Sequence, residues 1–185
     1  MASNTVYSQP CLSDPDEELV LTAQKVPSAF QAIYERWATP IFQYFYFRTG
    51  QMECAEDLTS QLFLSAYQAL PRYRHNGHFA AWLFAIARNL AKEFYRKQGR
   101  ELPLEAAHSL PATGDLVAEV DDKTEIEKLL RLIRSLPEEQ QELIRLRYVA
   151  ELSFADMALV LNKREDAIKK SLYRLQARLQ SLLEA

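Results

Sequence analysis

Only four glycines occur in 185 residues. A β-rich architecture depends on glycine at its tight connections, so this scarcity argues against one. Cysteine is rarer still: Cys11 and Cys54 are the only two. They lie far apart, match no metal-ligand spacing, and read as free thiols of a reducing compartment, with no metal site expected. No apolar run approaches the roughly 20 residues that cross a bilayer, so no membrane insertion is expected. Residues 1–10 have neither a basic start nor an apolar core, and give no sign of a secretory leader. A cytoplasmic protein is the expectation. Neither a phosphate-cradling glycine loop nor a nucleophile–base pair is evident, so neither enzymatic chemistry nor a cofactor is expected.

What is present is ordinary in bulk and uneven in detail. Apolar residues make up 48% and charged ones 25%, the balance of a chain that folds around a core. The net charge of −3 conceals two basic stretches, 29–100 and 163–178, separated by an acidic one. Residues 101–124 hold six acids, one lysine, Pro103, Pro111 and Gly114, without sustained periodicity. That composition predicts an acidic, flexible linker.

Around the linker the apolar residues recur at helical spacing. Asp14-Pro15-Asp16-Glu17 reads as a helix start with Asp14 as N-cap and Pro15 at the first position. Phe30, Ile33, Tyr34, Trp37, Ile41, Phe42 and Phe45 mark a second helix, in which Pro40 predicts a kink or break and Gly50 a C-cap. Leu58, Leu62, Phe63 and Ala66 mark a third, ending before Pro71. Residues 72–78, with Asn76-Gly77, read as a basic loop. Phe79, Trp82, Leu83, Ile86, Ala87, Leu90 and Phe94 line one side of a fourth helix, and Arg88, Lys92 and Arg96 the other. Helicity resumes at Ile126, and Pro137-Glu138-Glu139 starts a further helix. The expected fold is all-α, two small helical bundles joined by the acidic linker: a disordered 1–13, a first domain over 14–100, the linker 101–124, and a second domain over 125–185.

The sharpest motif is in the second domain. Ser153 with Asp156 three residues on is a capping signal for a helix packed through Phe154, Met157, Ala158 and Leu161. Asn162 sits where the chain reverses, and Asn tolerates the left-handed conformation. Ile168, Leu172, Leu175 and Leu179 then face inward while Lys170, Arg174 and Arg178 lie outward, with Lys169, Ser171 and Tyr173 nearby. A capped helix, a tight turn and a helix with a basic face form a helix-turn-helix whose second helix suits a DNA major groove. Cations on that face suit phosphates, and Lys or Ser near its start suits base edges. Glu165 and Asp166 either complement the helix dipole or accept a hydrogen bond from cytosine. The bland alternative is an αα-hairpin with a solvated basic side.

Leu152-Ser153-Phe154-Ala155-Asp156-Met157-Ala158, preceded by Leu136-Pro137-Glu138 and Leu146-Arg147-Tyr148, resembles the promoter-reading domain of bacterial RNA polymerase sigma factors of the sigma-70 family. The match is to the compact extracytoplasmic-function (ECF) group. The resemblance extends to Phe30–Trp37, to Ala55-Glu56-Asp57-Leu58 with Phe63-Leu64, and to Ala69–Arg74 with Trp82–Asn89. It covers about 14–100 and 125–183, in the family's order.

The resemblance implies a sigma factor that binds core RNA polymerase and directs promoter recognition, DNA melting and transcription initiation. Glu56, Asp57, Gln61 and Phe63 would bind polymerase. Arg72, Arg74, Asn76, His78, Phe84, Arg88, Asn89, Lys92 and Arg96 would contact the −10 element. Lys163, Arg164, Glu165, Asp166, Lys169, Lys170, Ser171, Tyr173, Arg174 and Arg178 would serve the −35 element. An anti-sigma partner is implied by analogy, and no homo-oligomer is expected.

Each assignment has a plainer reading. Glu56 and Asp57 also suit a helix's first turn. Trp82 falls on the apolar repeat and so reads as core, whereas Phe84 falls off it. The linker is either a stand-in for nucleic acid in a positive channel or a tether. Two departures from the family pattern stand out. Ser60-Gln61 replace a Gln–acid pair on the docking helix, and Asn162-Lys163-Arg164 replace a Gly-Ile-Ser turn. The latter removes a Ser cap worth about 1 kcal/mol and adds two cations, which implies an altered promoter preference or weaker discrimination. Two other functions stay open at this point. One is a helix-turn-helix regulator that is not a polymerase subunit; the other is a helical enzyme using His108 or the His75–His78 pair.

Overall fold

The computed structural model describes residues 16–99 and 123–184, and among these every regular element is helical. The expected cap Asp14, the N-terminal segment, Cys11, His108 and nearly all of the linker lie outside the described residues. Helix α1 spans Glu17–Lys25. Asp16 precedes it without capping it; its buried carboxylate instead receives the Arg36 Nε at 2.9 Å and the Trp37 Nε1 at 3.2 Å. The residue that looks like a helix-start acid therefore ties α1 to the next helix.

Helix α2, Phe30–Thr49, runs unbroken through Pro40. Of the kink or break expected there, the break does not occur. A proline ring removes one backbone hydrogen bond, but the helix buries residues on both sides of it, Ile33 before and Ile41, Tyr44 and Phe45 after. Packing over two full flanks outweighs the local loss. Gly50, at φ 68°, ends the helix with its N–H donating to the Tyr46 carbonyl at 2.9 Å. Helix α3, Met52–Ala69, buries Ala55, Leu58, Leu62 and Phe63, and Pro71 falls within a single 3-10 turn, Leu70–Arg72. The Gln24 amide donates to the Leu70 and Tyr73 carbonyls at 3.0 and 2.6 Å, fixing that turn against α1. Helix α4, Phe79–Lys97, follows the loop and buries Phe79, Leu83, Phe84, Ala87 and Ala91.

The second half contains α5 (Lys123–Arg134), α6 (Glu138–Ile144), a π-helical turn (Arg145–Val149), α7 (Phe154–Leu161) and α8 (Glu165–Leu183). Helix α5 starts three residues ahead of Ile126, the first apolar signal in the sequence. The cap at Ser153 forms as expected: its hydroxyl accepts the Asp156 N–H at 3.0 Å. Asn162 adopts φ 51°, ψ 48°, and Lys163 N–H closes the turn on the Ala158 carbonyl at 3.0 Å.

The two halves are in direct contact. Helix α4 packs on α7, and the π-helical turn packs on α2. Buried residues of both halves, including Tyr44, Leu83 and Phe84 from the first and Leu146, Leu152 and Met157 from the second, form one cluster. A smaller cluster of Leu136, Leu175 and Leu179 joins α5 and α6 to the distal part of α8.

Candidate nucleic-acid interface

Helix α8 presents the surface its spacing predicts. Ile168, Leu172, Leu175 and Leu179 are buried, and Lys170, Ser171, Tyr173, Arg174 and Arg178 are exposed. At its start Lys163, Arg164 and Asp166 are exposed, and Glu165 and Lys169 are half-buried. Arg164 occupies the N-cap with no side-chain hydrogen bond, as the missing Ser implies. Glu165 Oε1 accepts from Lys169 Nζ at 2.6 Å, a bond that holds the ammonium above its ordinary pKa. Lys169 also lies 5.5 Å from the centre of the Phe154 ring, which Arg147 approaches to 4.8 Å. Glu165 thus orients a lysine. Lys163 pairs with Glu139 at 3.3 Å. Lys170, Arg174 and Arg178 form an exposed row on one edge that suits a phosphate backbone.

The loop and α4 place a second set. Arg72, Arg74, Asn76, Asn89, Lys92 and Arg96 are exposed, and His78 and Arg88 are half-buried. Phe84 requires a correction. It is completely buried, edge-on to Tyr44 at 5.4 Å and to Trp37 at 6.1 Å, so it is core and offers no face to a base. Its position off the apolar repeat misleads because α4 is covered on two sides, by α2 and α3 and by α7. Trp82 is half-buried against Tyr73 and Phe79, with ring centres 4.6 and 5.4 Å away, in line with a core role.

On α3, Glu56, Asp57, Ser60 and Gln61 are all exposed. Phe63 is not: it is buried with its ring 4.7 Å from Tyr34 and 6.4 Å from Phe30. The reading of Phe63 as a surface anchor is therefore corrected, and the exposed apolar neighbour is Leu64. Asp57, Gln61, Glu93 and Lys97 rim a groove of about 230 Å³ between α3 and α4, floored by Leu58, Leu90 and Phe94. Cys54 lines the same groove, where burial, then Asp57 and Glu53, push its thiol pKa up and so disfavour the thiolate. Among the described residues no group of three His, Cys, Asp or Glu is placed to hold a metal, and no helix is long and apolar enough to cross a membrane.

Two family models match this chain: sigma-70 region 2 over residues 33–101 and sigma-70 region 4 over residues 126–179. Together they cover about two thirds of it. The chain belongs to the sigma-70 family of RNA polymerase sigma factors, in the ECF group. It is 35% identical over 171 residues to the ECF sigma factor BldN of Streptomyces coelicolor, spanning 90% of this chain and 65% of that protein. It is 26% identical over 151 residues to the ECF sigma factor SigM of Bacillus subtilis, covering 81% of this chain and 92% of the relative. The fold is shared with the sigma factor RpoE of Bartonella quintana, solved with the anti-sigma factor NepR. That likeness has a TM-score of 0.66 and 22% identity, over 84% of this chain and 97% of that one.

Between region 2 and region 4 lies a polar cluster that the sequence reading missed. Glu142 of α6 is 4% exposed. It accepts the Tyr44 hydroxyl at 2.8 Å, pairs with the Arg48 guanidinium, receives the Arg145 Nε and Nη2 at 3.1 and 3.0 Å, and has the Arg88 Nε at 3.7 Å. Burial disfavours its charge, but Arg48, Arg145 and the Tyr44 hydroxyl outweigh that and hold the carboxyl below its ordinary pKa. Burial, then Glu142, pushes the Tyr44 phenol well above its usual range. Arg48 also reaches Glu138 at 3.1 Å. A second polar contact joins the halves, where His78 Nδ1 meets Asp156 Oδ1 at 2.8 Å. In sequence Glu142 belongs to a Glu/Gln run over 138–142 that reads as a solvated face; no periodicity marks it as interfacial.

Proposed function

We propose that this chain is a sigma factor that binds core RNA polymerase and brings it to promoters. Region 4 reads the −35 element with α8, and region 2 captures and opens the −10 element with the 72–78 loop and α4. Lys170, Arg174 and Arg178 follow the −35 phosphates; Lys163, Arg164, Asp166, Ser171 and Tyr173 stand near the bases, and Glu165 sets Lys169. Arg72, Arg74, Asn76, Asn89, Lys92 and Arg96 serve the −10 element, joined by His78 and Arg88. Glu56, Asp57 and Gln61 face the polymerase. The functional units are 14–100 and 125–185, with 101–124 as the tether. The protein performs no covalent chemistry and works in the cytoplasm, where polymerase and promoter meet. An anti-sigma protein is a fitting further partner, because the related RpoE is held by one.

The observation that carries this reading is the union of two interfaces in one chain. A regulator that only binds DNA needs the exposed edge of α8, but it has no use for an exposed acidic face on α3 or for the basic Asn89–Arg96 side of α4. Carboxylates on a helix face suit a basic helical partner. Gel filtration with core polymerase tests the point. The wild-type chain is expected to co-elute with the polymerase and the Asp57→Ala chain to do so much more weakly, while both retain equal affinity for promoter DNA. Failure of the wild-type chain to bind polymerase would leave only the DNA-binding regulator.

A further inference from the structure

We infer that Gln24 of α1 is a positioning residue for −10 recognition: its amide clamps the turn from which the 72–78 loop springs and holds that loop ready for DNA. The consequence for DNA rests on the sigma reading; the clamp itself does not. Three observations carry it.

The first is the geometry of the amide. A glutamine carries two N–H donors on one nitrogen. Gln24 Nε2 donates to the Leu70 carbonyl at 3.0 Å and to the Tyr73 carbonyl at 2.6 Å, 46 and 49 positions away. Those carbonyls bracket the 3-10 turn Leu70–Arg72, so one side chain holds both ends of it. The Leu70 carbonyl also accepts the Tyr73 N–H at 3.0 Å, which closes the turn on itself. A residue before proline prefers extended backbone, yet Leu70 is helical at φ −54°, ψ −40°. Its buried side chain and the two donors on its carbonyl decide that conformation, and Gln24 supplies one of them.

The second is the mount. The clamp hangs from a helix that is itself fixed: Val20 and Ala23 of α1 are buried, and Asp16 ties its start to Arg36 and Trp37 of α2. A fixed helix defines where the two carbonyls stand; a loose one would transmit nothing to them. The sigma-70 region 2 match begins at residue 33, so α1 lies ahead of it. Its amide nonetheless reaches the loop inside that match.

The third is what the turn carries. Tyr73 stands between Arg72 and Arg74, both exposed and both read above as −10 contacts. Its carbonyl is fixed from α1, while its ring lies 4.6 Å from Trp82 and 5.6 Å from Phe79 of α4. Tyr73 is thus held from two helices, and the arginines on either side inherit its position. Beyond it the chain passes Gly77 at φ 79° and enters α4, where the Trp82 N–H donates to the His78 carbonyl at 3.2 Å. A loop held at both ends has few conformations to choose among. A strand that binds one populated conformation avoids the loss of affinity that a scattered loop imposes.

The test compares the full wild-type chain with Gln24→Met, which keeps the length of the side chain without its donors, and Gln24→Lys, which keeps donors on a longer stem. Hydrogen exchange reads the clamp. In Gln24→Met the amides of 70–78 are expected to exchange about tenfold faster, roughly the worth of two net hydrogen bonds, while those of 83–95 in α4 keep wild-type rates. Strand binding reads the consequence. The probe is a fluorescent single-stranded oligonucleotide carrying the −10 element of a template that the wild-type chain transcribes with core polymerase, set against a scrambled strand of the same composition. Gln24→Met is expected to lower the ratio of the two affinities by about tenfold and to leave binding to a −35 duplex unchanged. Gln24→Lys is expected to restore both the slow exchange and the ratio, because its added charge acts on both strands alike. Wild-type exchange over 70–78 in Gln24→Met, faster exchange spread through α4 as well, a loosened loop with the wild-type ratio, or a Gln24→Lys chain as loose as Gln24→Met would each overturn the inference. A wild-type chain that transcribes no template would count against the sigma reading instead, and the exchange comparison would still decide the clamp.

Discussion

The Tyr44 hydroxyl donates to Glu142 Oε1 at 2.8 Å, joining two residues 98 positions apart, one in each half of the chain. Glu142 is charged and almost completely buried at this joint, and its carboxyl titrates below the ordinary carboxylate value of 4.5. A carboxyl depressed in the folded state contributes stability above its unfolded pKa and loses that contribution as pH falls through the folded one. Thermal unfolding should therefore show the wild-type chain losing more stability between about pH 5.5 and pH 3, from about a unit above the usual carboxylate pKa to more than a unit below it, than Glu142→Gln loses over the same range. Equal losses would remove Glu142 from the account.

Phe84 and Asn89 sit on one helix with opposite fates. Phe84→Ala should lower stability by about 3–5 kcal/mol, since its ring fills the core between Trp37 and Tyr44. Asn89 is exposed, and Asn89→Ala should leave the melting temperature near the wild-type value while weakening binding to single-stranded −10 DNA. Chemical denaturation and fluorescence anisotropy on the two variants check both halves.

Arg164 stands at the N-cap of α8 without a side-chain hydrogen bond. Arg164→Ser restores an acceptor and should stabilise the chain by about 1 kcal/mol while removing one cation near the groove. Binding to a −35 duplex should weaken and its salt dependence become shallower by about one unit of slope. A more stable variant with unaltered DNA binding would place Arg164 outside the interface.

The outward row of α8 is open to the same reasoning. Removing Lys170, Arg174 or Arg178 singly should weaken binding by a similar factor on specific and scrambled duplexes, because phosphate contacts position without reading sequence. Glu165→Gln should act differently, since it releases Lys169 from its 2.6 Å partner: the preference among −35 sequences should change more than the overall affinity. Titrations at several salt concentrations separate the two behaviours.

The helix-turn-helix was legible in the sequence because its signals are local and mutually consistent. Ser153 precedes Asp156 by three residues, Asn162 marks the reversal, and the spacing of Ile168, Leu172, Leu175 and Leu179 leaves one face for cations. Gly50 and Gly77 likewise mark the positive-φ positions that end α2 and shape the loop before α4. Pro40 left a kink or a break open, because a local rule about a missing hydrogen bond carries no knowledge of how firmly both flanks are packed. Phe84 misled for a related reason: periodicity identifies one buried face, and α4 is covered on more than one. Phe63 lay on the apolar repeat of its helix, and only the resemblance placed it at the surface. Glu142, Arg48 and Tyr44 were invisible because an interfacial ion cluster depends on two distant helices meeting, and a glutamate in a Glu/Gln run looks the same whether solvated or buried.

Reconstituted transcription tests the central claim most directly. Core bacterial RNA polymerase is mixed with a pool of promoter fragments, with and without this chain, and the transcripts are mapped at their 5′ ends. The account predicts defined-start transcripts that require the chain, with two shared upstream elements in the aligned templates. Transcripts that start equally without the chain, or none with it, would contradict the account.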